Sequence, residues 1–374
     1  MRIVITGVAG LLGSRFTQWV LDNIEGAEIW GIDDLSGGFL ENIPAKIGNT
    51  GLYRLGCESK PNTAWFAEQW AKFAPDYVFH FAAFAAEGLS PFVRKYTVRN
   101  TWLATAEVLN CCLNTQPRRL VFTSSMAVYG RQTPPFDEAL PRRPIDPYGV
   151  GKAACEQDIE IAAEQHGLDY CIIRPHNVYG DRQNIWGDYR NVLGIWMRQH
   201  LEGKPLRVYG DGLQSRAFSY IDDCLPCLWR AATEPQASRQ IVNLGGTTPT
   251  TIRAAAETLA ELVGGAEIQY TPPRHEVDQA WSTYQRSMDL LGYRETVSLP
   301  EGLARMWQWA RAAWDAHPRR RDPQPLAYEV TAGLYPWWQP SASDSQQPHC
   351  QYSAHQQHRA QYHQQAPAPA TAVS

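Results

Sequence analysis

Short, continuously apolar runs punctuate the first half of the chain, with longer mixed stretches between them. "RIVIT", "EIWGID", "YVFHFAA" (Tyr77 to Ala83), "RLVFTSS" (Arg119 to Ser125) and "YCIIRP" (Tyr170 to Pro175) are the clearest. Continuous hydrophobicity of this length predicts strands buried on both faces, as in a parallel sheet. Helical patterns lie between them, from Leu11 to Ile24 and from Thr97 to Leu113. The alternation predicts an α/β fold, a doubly wound parallel sheet.

A further helix is predicted from Tyr148, with Asp146 as its cap, Pro147 at its first position and Gly167 at its end. After Pro175 the texture changes. Residues 176–217 read as loop-rich, with one helix near Val192 to Gly203. "FSYID" and "IVNLGG" read as strands returning to a sheet. Thr251–Val263 and Pro300–Ala316 read as helices around an irregular middle. From about His317 the composition turns to Gln, His, Ala, Ser and Pro, which predicts a mostly disordered tail over 317–374. Within it, "YEVTAGLYPWW" (Tyr328 to Trp338) is aromatic enough to dock on the body.

Composition narrows the function. The 374 residues are 44% hydrophobic and 19% charged, as in soluble globular proteins, with a formal net charge of −4. That charge supplies no attraction for nucleic acid or an anionic membrane. The longest apolar runs are strand-sized, so no transmembrane helix is expected, and "MRIVITGVAG" lacks a signal peptide's apolar core. The eight cysteines lie scattered through apparent core segments and not in a disulfide framework. "CLPC" (Cys224 to Cys227) could be a redox or metal pair. Without a second pair it reads better as buried thiols on a helix, and no metal site is expected. A reduced, cytoplasmic protein is the expectation.

Two constellations carry chemistry. "TGVAGLLG" places Gly7, Gly10 and Gly13 between the first strand and the first helix. Glycines there let the backbone approach a pyrophosphate, which meets the positive end of the helix. Asp33 ends the second strand twenty residues after Gly13 (33 − 13 = 20), where an acid can accept hydrogen bonds from ribose hydroxyls. Its charge would repel a 2′-phosphate, and no arginine follows in "DDLSGG", so NAD is favoured over NADP. A purely structural turn with an unrelated surface aspartate is the plainer alternative. The second constellation is "SSMAVYG" (Ser124 to Gly130) with "DPYGVGK" (Asp146 to Lys152). Tyr148 and Lys152 stand four apart, on one helix face. Tyrosine is a poor base near its reference pKa of about 10. An ammonium one turn away lowers that, and a serine at a neighbouring strand end can share a substrate hydroxyl's hydrogen bond.

With these motifs the chain resembles the extended short-chain dehydrogenases/reductases, within the nucleotide-sugar epimerase and dehydratase group. The residues that carry the likeness are "TGVAGLLG", "IDDLSGG", "FHFAA", Asn100, "SSMAVYG", "PYGVGK", "RPHNVYG" and "YGDGLQSRAFSYIDD". They span residues 1 to about 224, with a looser likeness to about 316. The resemblance implies a Rossmann NAD-binding domain over 1–175 and 218–245, and a smaller mixed α/β nucleotide-sugar-binding domain over 176–217 and 246–316. It implies Ser125, Tyr148 and Lys152 as the catalytic set. NAD contacts would come from Gly7, Gly10, Leu11, Leu12, Gly13, Asp33, Phe81, Ala82, Ala83, Asn100, Tyr148, Lys152 and Pro175. Ser125, Asn177, Asn191, Tyr209, Arg216 and Arg274 would hold the nucleotide sugar, with Tyr209 stacked on the base. For Arg216 a surface salt bridge is the plainer alternative. A homodimer is also implied.

The chain departs from the group in three places. Cys57 stands where an aspartate usually meets adenine, which shifts that task to Glu58 or to backbone. "PPRHEVD" replaces the usual late phosphate motif, leaving Arg274 as its best counterpart. Ala85 stands where some 4-epimerases have a lysine. Within "SSMAVYG", Met126 and Ala127 occupy the places where dehydratases carry Asp-Glu and decarboxylases Ser-Glu. Neither can move a proton. The expectation is therefore NAD-dependent 4-epimerisation of a nucleoside-diphosphate sugar, with a UDP-sugar favoured. The alternatives are a reductase, dehydrogenase or dehydratase of the same group, and a non-catalytic NAD-binding sensor or scaffold.

Overall fold

Seven parallel strands form the central sheet of the computed structural model, in the order β11-β6-β5-β4-β1-β2-β3. They are β1 (Arg2–Thr6), β2 (Glu28–Asp33), β3 (Asn49–Leu52), β4 (Tyr77–His80), β5 (Arg119–Thr123), β6 (Tyr170–His176) and β11 (Gln240–Gly245). The described residues are 1–318 apart from 48, 54, 56–59 and 188, together with 327–335 and Trp338.

Successive residues of each strand enter different cores, which explains the unbroken apolar runs. Ile3, Ile5, Phe79, Val121 and Ile173 face one layer, with Phe16 and Val20 of helix α1 (Leu11–Asn23). Val4, Val78, Leu120, Phe122 and Ile172 face the other. That layer is closed by helices α2 (Lys60–Phe73), α4 (Ala104–Thr115) and α5 (Pro147–His166). Trp70 of α2 is fully buried there, so its truncation to alanine would cost about 3–5 kcal/mol.

Strand order reverses between β1 and β4, and open α/β sheets bind ligands beyond the carboxyl ends of their strands at such a point. β4 stops at His80, short of the Ala83 expected from the apolar run. Past it, Phe81 N–H donates to the Thr6 carbonyl and Ala82 N–H to Thr6 Oγ1. Phe81–Ala83 are thereby released as a loop over the glycine turn. The helix expected over Thr97–Leu113 is also broken up. A short helix α3 (Arg94–Val98) runs into a π-helical turn at Arg99–Leu103 before α4 begins.

The remaining strands form smaller sheets. β7 (Val178–Tyr179) pairs with β10 (Ser219–Tyr220), and β8 (Leu206–Tyr209) with β13 (Ile268–Thr271). β9 (Ser215–Ala217) lies between β12 (Pro249–Thr251) and β14 (Gln279–Ala280). "FSYID" thus pairs outside the central sheet, and only "IVNLGG" joins it. The other helices are α6 (Val192–Leu201), α7 (Ile221–Thr233), α8 (Ile252–Leu262), α9 (Gln285–Leu291) and α10 (Leu299–Ala316). Leu206, Trp196, Leu259 and Met306 share one apolar cluster with Ile3 and Phe79, so these later elements belong to the compact unit of residues 1–324.

Cys224 and Cys227 are buried in α7, where each thiol donates to a carbonyl one turn back. Burial pushes both thiols well above their ordinary range, as inert structural cysteines require. Among the described residues, no helix is long and apolar enough to cross a membrane, and no cluster of ligands suits a metal ion. Residues 325–374 form a separate unit. In it Trp338 N–H donates to the Tyr335 carbonyl and the two rings meet edge to face. Residues 339–374, most of the low-complexity tail, lie outside the described residues.

Candidate active site

The turn after β1 can be built only from glycine at two of its positions. Gly7 has φ +73°, and a Cβ there would lie 2.9 Å from the Ala82 amide nitrogen. At Gly13 a Cβ would sit 2.0 Å from the Gly7 carbonyl oxygen, so only glycine lets helix and turn pack this closely. Gly10 N–H closes the turn on Gly7 O, and α1 starts at Leu11 without a side-chain cap. The first turn of α1 therefore presents its free amides, and the positive end of its dipole, to a cavity of about 300 Å³.

That cavity is lined by Gly7, Gly10, Leu11, Leu12, Gly13, Asp33, Phe81, Ala82, Ala83 and Asn100, all expected from the sequence. Asn191, expected at the nucleotide sugar, lines it too. The Asp33 carboxylate accepts from Ala9 N–H at 2.9 Å and Leu35 N–H at 2.7 Å. Burial pushes its carboxyl up to about 6, against the pull of those two amides. Asn100 holds its own helix, donating to the Tyr96 carbonyl. Asn191 caps α6 through its Oδ1. The lining includes Ser36, Gly37 and Gly38 of "IDDLSGG". It also includes Tyr53, Gln183 and Arg190, which local sequence did not mark. Cys57 and Glu58 lie outside the described residues.

The serine, tyrosine and lysine meet where α5 starts. Asp146 caps the helix, its Oδ1 accepting from Gly149 N–H at 2.9 Å, and Gly167 ends it in the left-handed conformation. Ser90 Oγ binds the same cap and accepts from Tyr148 N–H, which fixes the tyrosine's entry angle. Tyr148 and Lys152 are both buried. Ser125 lies close enough to the Tyr148 hydroxyl to favour its phenolate. Ser125 in turn caps a short turn over Met126–Val128, accepting from Ala127 N–H at 3.1 Å. Lys152 Nζ donates to the Thr123 carbonyl at 2.6 Å and lies 4.6 Å from the Phe122 ring centre.

Their protonation differs from the simple picture of a lysine lowering a tyrosine. Burial raises the Tyr148 phenol above its ordinary value, and the nearby Ser125 only partly opposes this. Burial brings the Lys152 ammonium down to about 8, although Cys155 and Glu156 favour its charge. Met126 and Ala127 are buried beside this set, with Met126 packed against Val128, Tyr129 and Phe136.

A buried network supports the set from behind. Arg174 of β6 grips Glu156 of α5 with two bonds, of 2.9 and 2.7 Å, and donates to Tyr129 Oη at 2.6 Å. The Tyr129 hydroxyl donates to Asn243 Oδ1 at 2.8 Å. This ties the helix carrying Tyr148 and Lys152 to β6, β11 and the turn after Ser125.

The remaining expected residues lie outside the cavity lining. Pro175 sits within β6, paired with Leu244. Asn177 has φ +37° and donates to the Ala217 carbonyl. Arg216 and Arg274 both reach Glu276, at 3.2 and 3.1 Å, and the Arg274 guanidinium lies 4.6 Å from the centre of the Tyr209 ring. One face of the tyrosine meant to stack on a base thus already carries a cation. Glu87, unmarked in the sequence, faces the same charges. Loss of solvation in the crowded cleft and the Asp146 carboxylate push it up to about 7, although its side chain still reaches solvent.

The geometry fits NAD: a glycine cradle that a Cβ would fill, a helix terminus, and a buried acid at the second strand's end. Comparisons with known proteins agree. A model of the NAD-dependent epimerase/dehydratase family matches residues 3–245. The chain is 30% identical to a UDP-glucose 4-epimerase of Mycolicibacterium smegmatis, covering 83% of this chain and 99% of that one. It resembles the structure of a UDP-glucose 4-epimerase of Thermotoga maritima with UDP-glucose, at TM-score 0.78 and 27% identity, over 84% of this chain and 99% of that one. It also resembles a Thermus thermophilus UDP-glucose 4-epimerase in complex with NAD, at TM-score 0.77 and 28% identity, over 84% and 100% of the two chains. The glycine turn, the buried Asp33 and the Tyr148–Lys152 helix therefore belong to a nucleotide-sugar enzyme with NAD as cofactor, a member of the NAD-dependent epimerase/dehydratase family.

Proposed function

We propose that this protein interconverts the C4 epimers of a UDP-sugar through a transient 4-keto sugar. One observation carries the reading. Ser125, Tyr148 and Lys152 converge, while Met126 and Ala127 beside them offer no further proton-transfer group. Elimination of water or loss of carbon dioxide would call for such a group. Oxidation and re-reduction at one carbon do not.

NAD, when bound, supplies the acceptor and later the donor of the hydride at C4. The chain's own residues handle the proton and the geometry. Ser125 shares the hydrogen bond of the C4 hydroxyl, and Tyr148 takes its proton as the phenolate. Burial by itself favours the neutral phenol, so the charges of Lys152 and of the cationic nicotinamide ring must together favour the phenolate. Tyr148 returns the proton when the sugar is reduced on its other face. Asn177, Asn191, Tyr209, Arg216 and Arg274 are assigned to the nucleotide diphosphate, and residues 176–217 with 246–316 to the sugar-binding part of the protein. Arg274 over Tyr209 supports this, since a guanidinium beside an aromatic face suits a base linked to phosphate.

The working form in this reading is a cytoplasmic homodimer. Val98 and Trp102, one helical turn apart, are exposed, as are Val150 and Ile161 on the adjoining α5. Sedimentation of the purified protein tests the dimer, and a monomer at micromolar concentration would remove that part. For the reaction, a panel of UDP-sugars is incubated with the protein and products are read by NMR. Epimers should appear with no net absorbance change at 340 nm. Stoichiometric change at 340 nm would identify a reductase or dehydrogenase instead.

A further inference from the structure

Arg190 is a cation in the lining of the cofactor cavity, and among the described residues no carboxylate pairs with it. Its guanidinium lies 5.6 Å from the Phe84 ring centre and packs against Gly37, where a Cβ would come within 3.2 Å of Nη2. Among the described residues its side chain makes no hydrogen bond and no ion pair. Burial lowers its pKa from the ordinary value, with only the Tyr96 phenol favouring its charge. A second polar group stands in the same lining. Gln183 is 5% exposed, and neither its Oε1 nor its Nε2 finds a partner among the described residues. Buried polar groups are ordinarily satisfied, and an uncompensated pair of them in one cavity marks a place for a ligand.

The same cavity holds the amides at the start of α1 and the glycine turn. A helix terminus, a guanidinium and an amide donor together select an anion with several oxygens. We propose that Arg190 and Gln183 bind the diphosphate of the dinucleotide cofactor from the side opposite the α1 terminus. The guanidinium forks onto two phosphate oxygens, and the Gln183 amide donates to a third. A side chain at position 37 would press on the guanidinium and shift it.

This inference rests on the family's cofactor and not on the epimerase reading, so cofactor affinity decides it whatever the sugar. Cofactor-stripped protein is titrated calorimetrically with NAD, NADP and UDP. Arg190→Met should weaken NAD and NADP alike by about tenfold or more, the loss of a charge-assisted hydrogen bond, and leave UDP unchanged. Gln183→Leu should weaken NAD by about threefold or more, as for a neutral hydrogen bond. Unchanged NAD affinity in both variants overturns the proposal. So does a loss confined to UDP, which would place the cation on the substrate, or confined to NADP, which would place it at a 2′-phosphate. If Arg190→Met does not fold, Arg190→Lys carries the arginine's part. It keeps the charge but removes the fork, and it should still weaken NAD by about threefold or more, as for a lost hydrogen bond. An Arg190→Lys protein that binds NAD as the wild type does overturns the assignment to Arg190.

Discussion

Lys152 Nζ stands 2.6 Å from the Thr123 carbonyl oxygen, so the cation is anchored to the end of the strand that delivers Ser125. A helix residue and a strand terminus are thereby locked together at the point where the proposed chemistry occurs. Burial holds this ammonium near 8 in place of its ordinary value of 10.5. The charged form dominates below about pH 8 and is lost above it. NAD affinity of the cofactor-free protein should therefore fall as pH rises through about 8. Titrations between pH 7 and 9.5 check this, and Lys152→Met should bind weakly with a flat profile. A wild-type profile as flat as that of the variant would separate Lys152 from the cofactor.

Tyr148→Phe keeps the buried ring and removes the hydroxyl proposed to take the sugar's proton. Turnover of the active UDP-sugar should fall by about 10²–10⁴-fold, the usual worth of a positioned acid–base group. NAD and UDP affinities should stay within about twofold, less than the worth of one ordinary hydrogen bond. Near-normal turnover in this variant would mean that another group moves the proton.

Asp33 predicts a pH dependence of opposite sign. Its carboxyl is raised to about 6 by burial, so it becomes protonated, and stops accepting from ribose hydroxyls, as pH falls through 6. NAD affinity should drop about tenfold between pH 7 and pH 5, as for a group that must be ionised to bind. Asp33→Asn should bind NAD weakly at both pH values and discriminate less against NADP. Equal NAD affinity of variant and wild type at pH 7 would refute the ribose assignment.

The Glu156–Arg174 pair is a stability prediction. Both side chains are buried, and Arg142 touches only one oxygen of the carboxylate. Arg174→Met leaves Glu156 with Arg142 as its remaining cation and should cost about 1.5–3 kcal/mol in chemical denaturation, the worth of hydrogen bonds to a charged group. The paired change Glu156→Leu with Arg174→Met should recover most of that loss, because it removes the stranded charge. A single variant within experimental error of the wild type would show that water reaches this site.

Much of this architecture is legible in local sequence because local physics dictates it. Both faces of β1, β4, β5 and β6 are covered, so their residues are apolar without interruption. Gly7 and Gly13 are readable because a Cβ at either would collide with neighbouring backbone. The cap at Asp146 and the left-handed Gly167 bound α5 as expected, which sets Tyr148 and Lys152 on one face. The interruption at Arg99–Leu103 was not legible, since an extra residue in a helical turn leaves no proline or glycine behind.

The rest depended on chain segments far apart in sequence. Nothing around Arg190 marks it as part of the cofactor cavity. "DDLSGG" contains no arginine, yet the fold lays one against Gly37 from more than a hundred residues downstream. Arg216 and Arg274 share Glu276 only because β9 and the segment before β14 pack together. The protonation of Tyr148 and Lys152 is likewise a tertiary matter. Sequence spacing puts a cation one turn from a phenol, but the burial that raises one group and lowers the other comes from the strands and loops packed around them. Sequence by itself determined the sheet, the turn and the helix that carries Tyr148 and Lys152, because these follow from backbone sterics and side-chain periodicity. Only the folded structure decided which charges face the cavity, because charge interactions act through space and are set by what excludes the water between them.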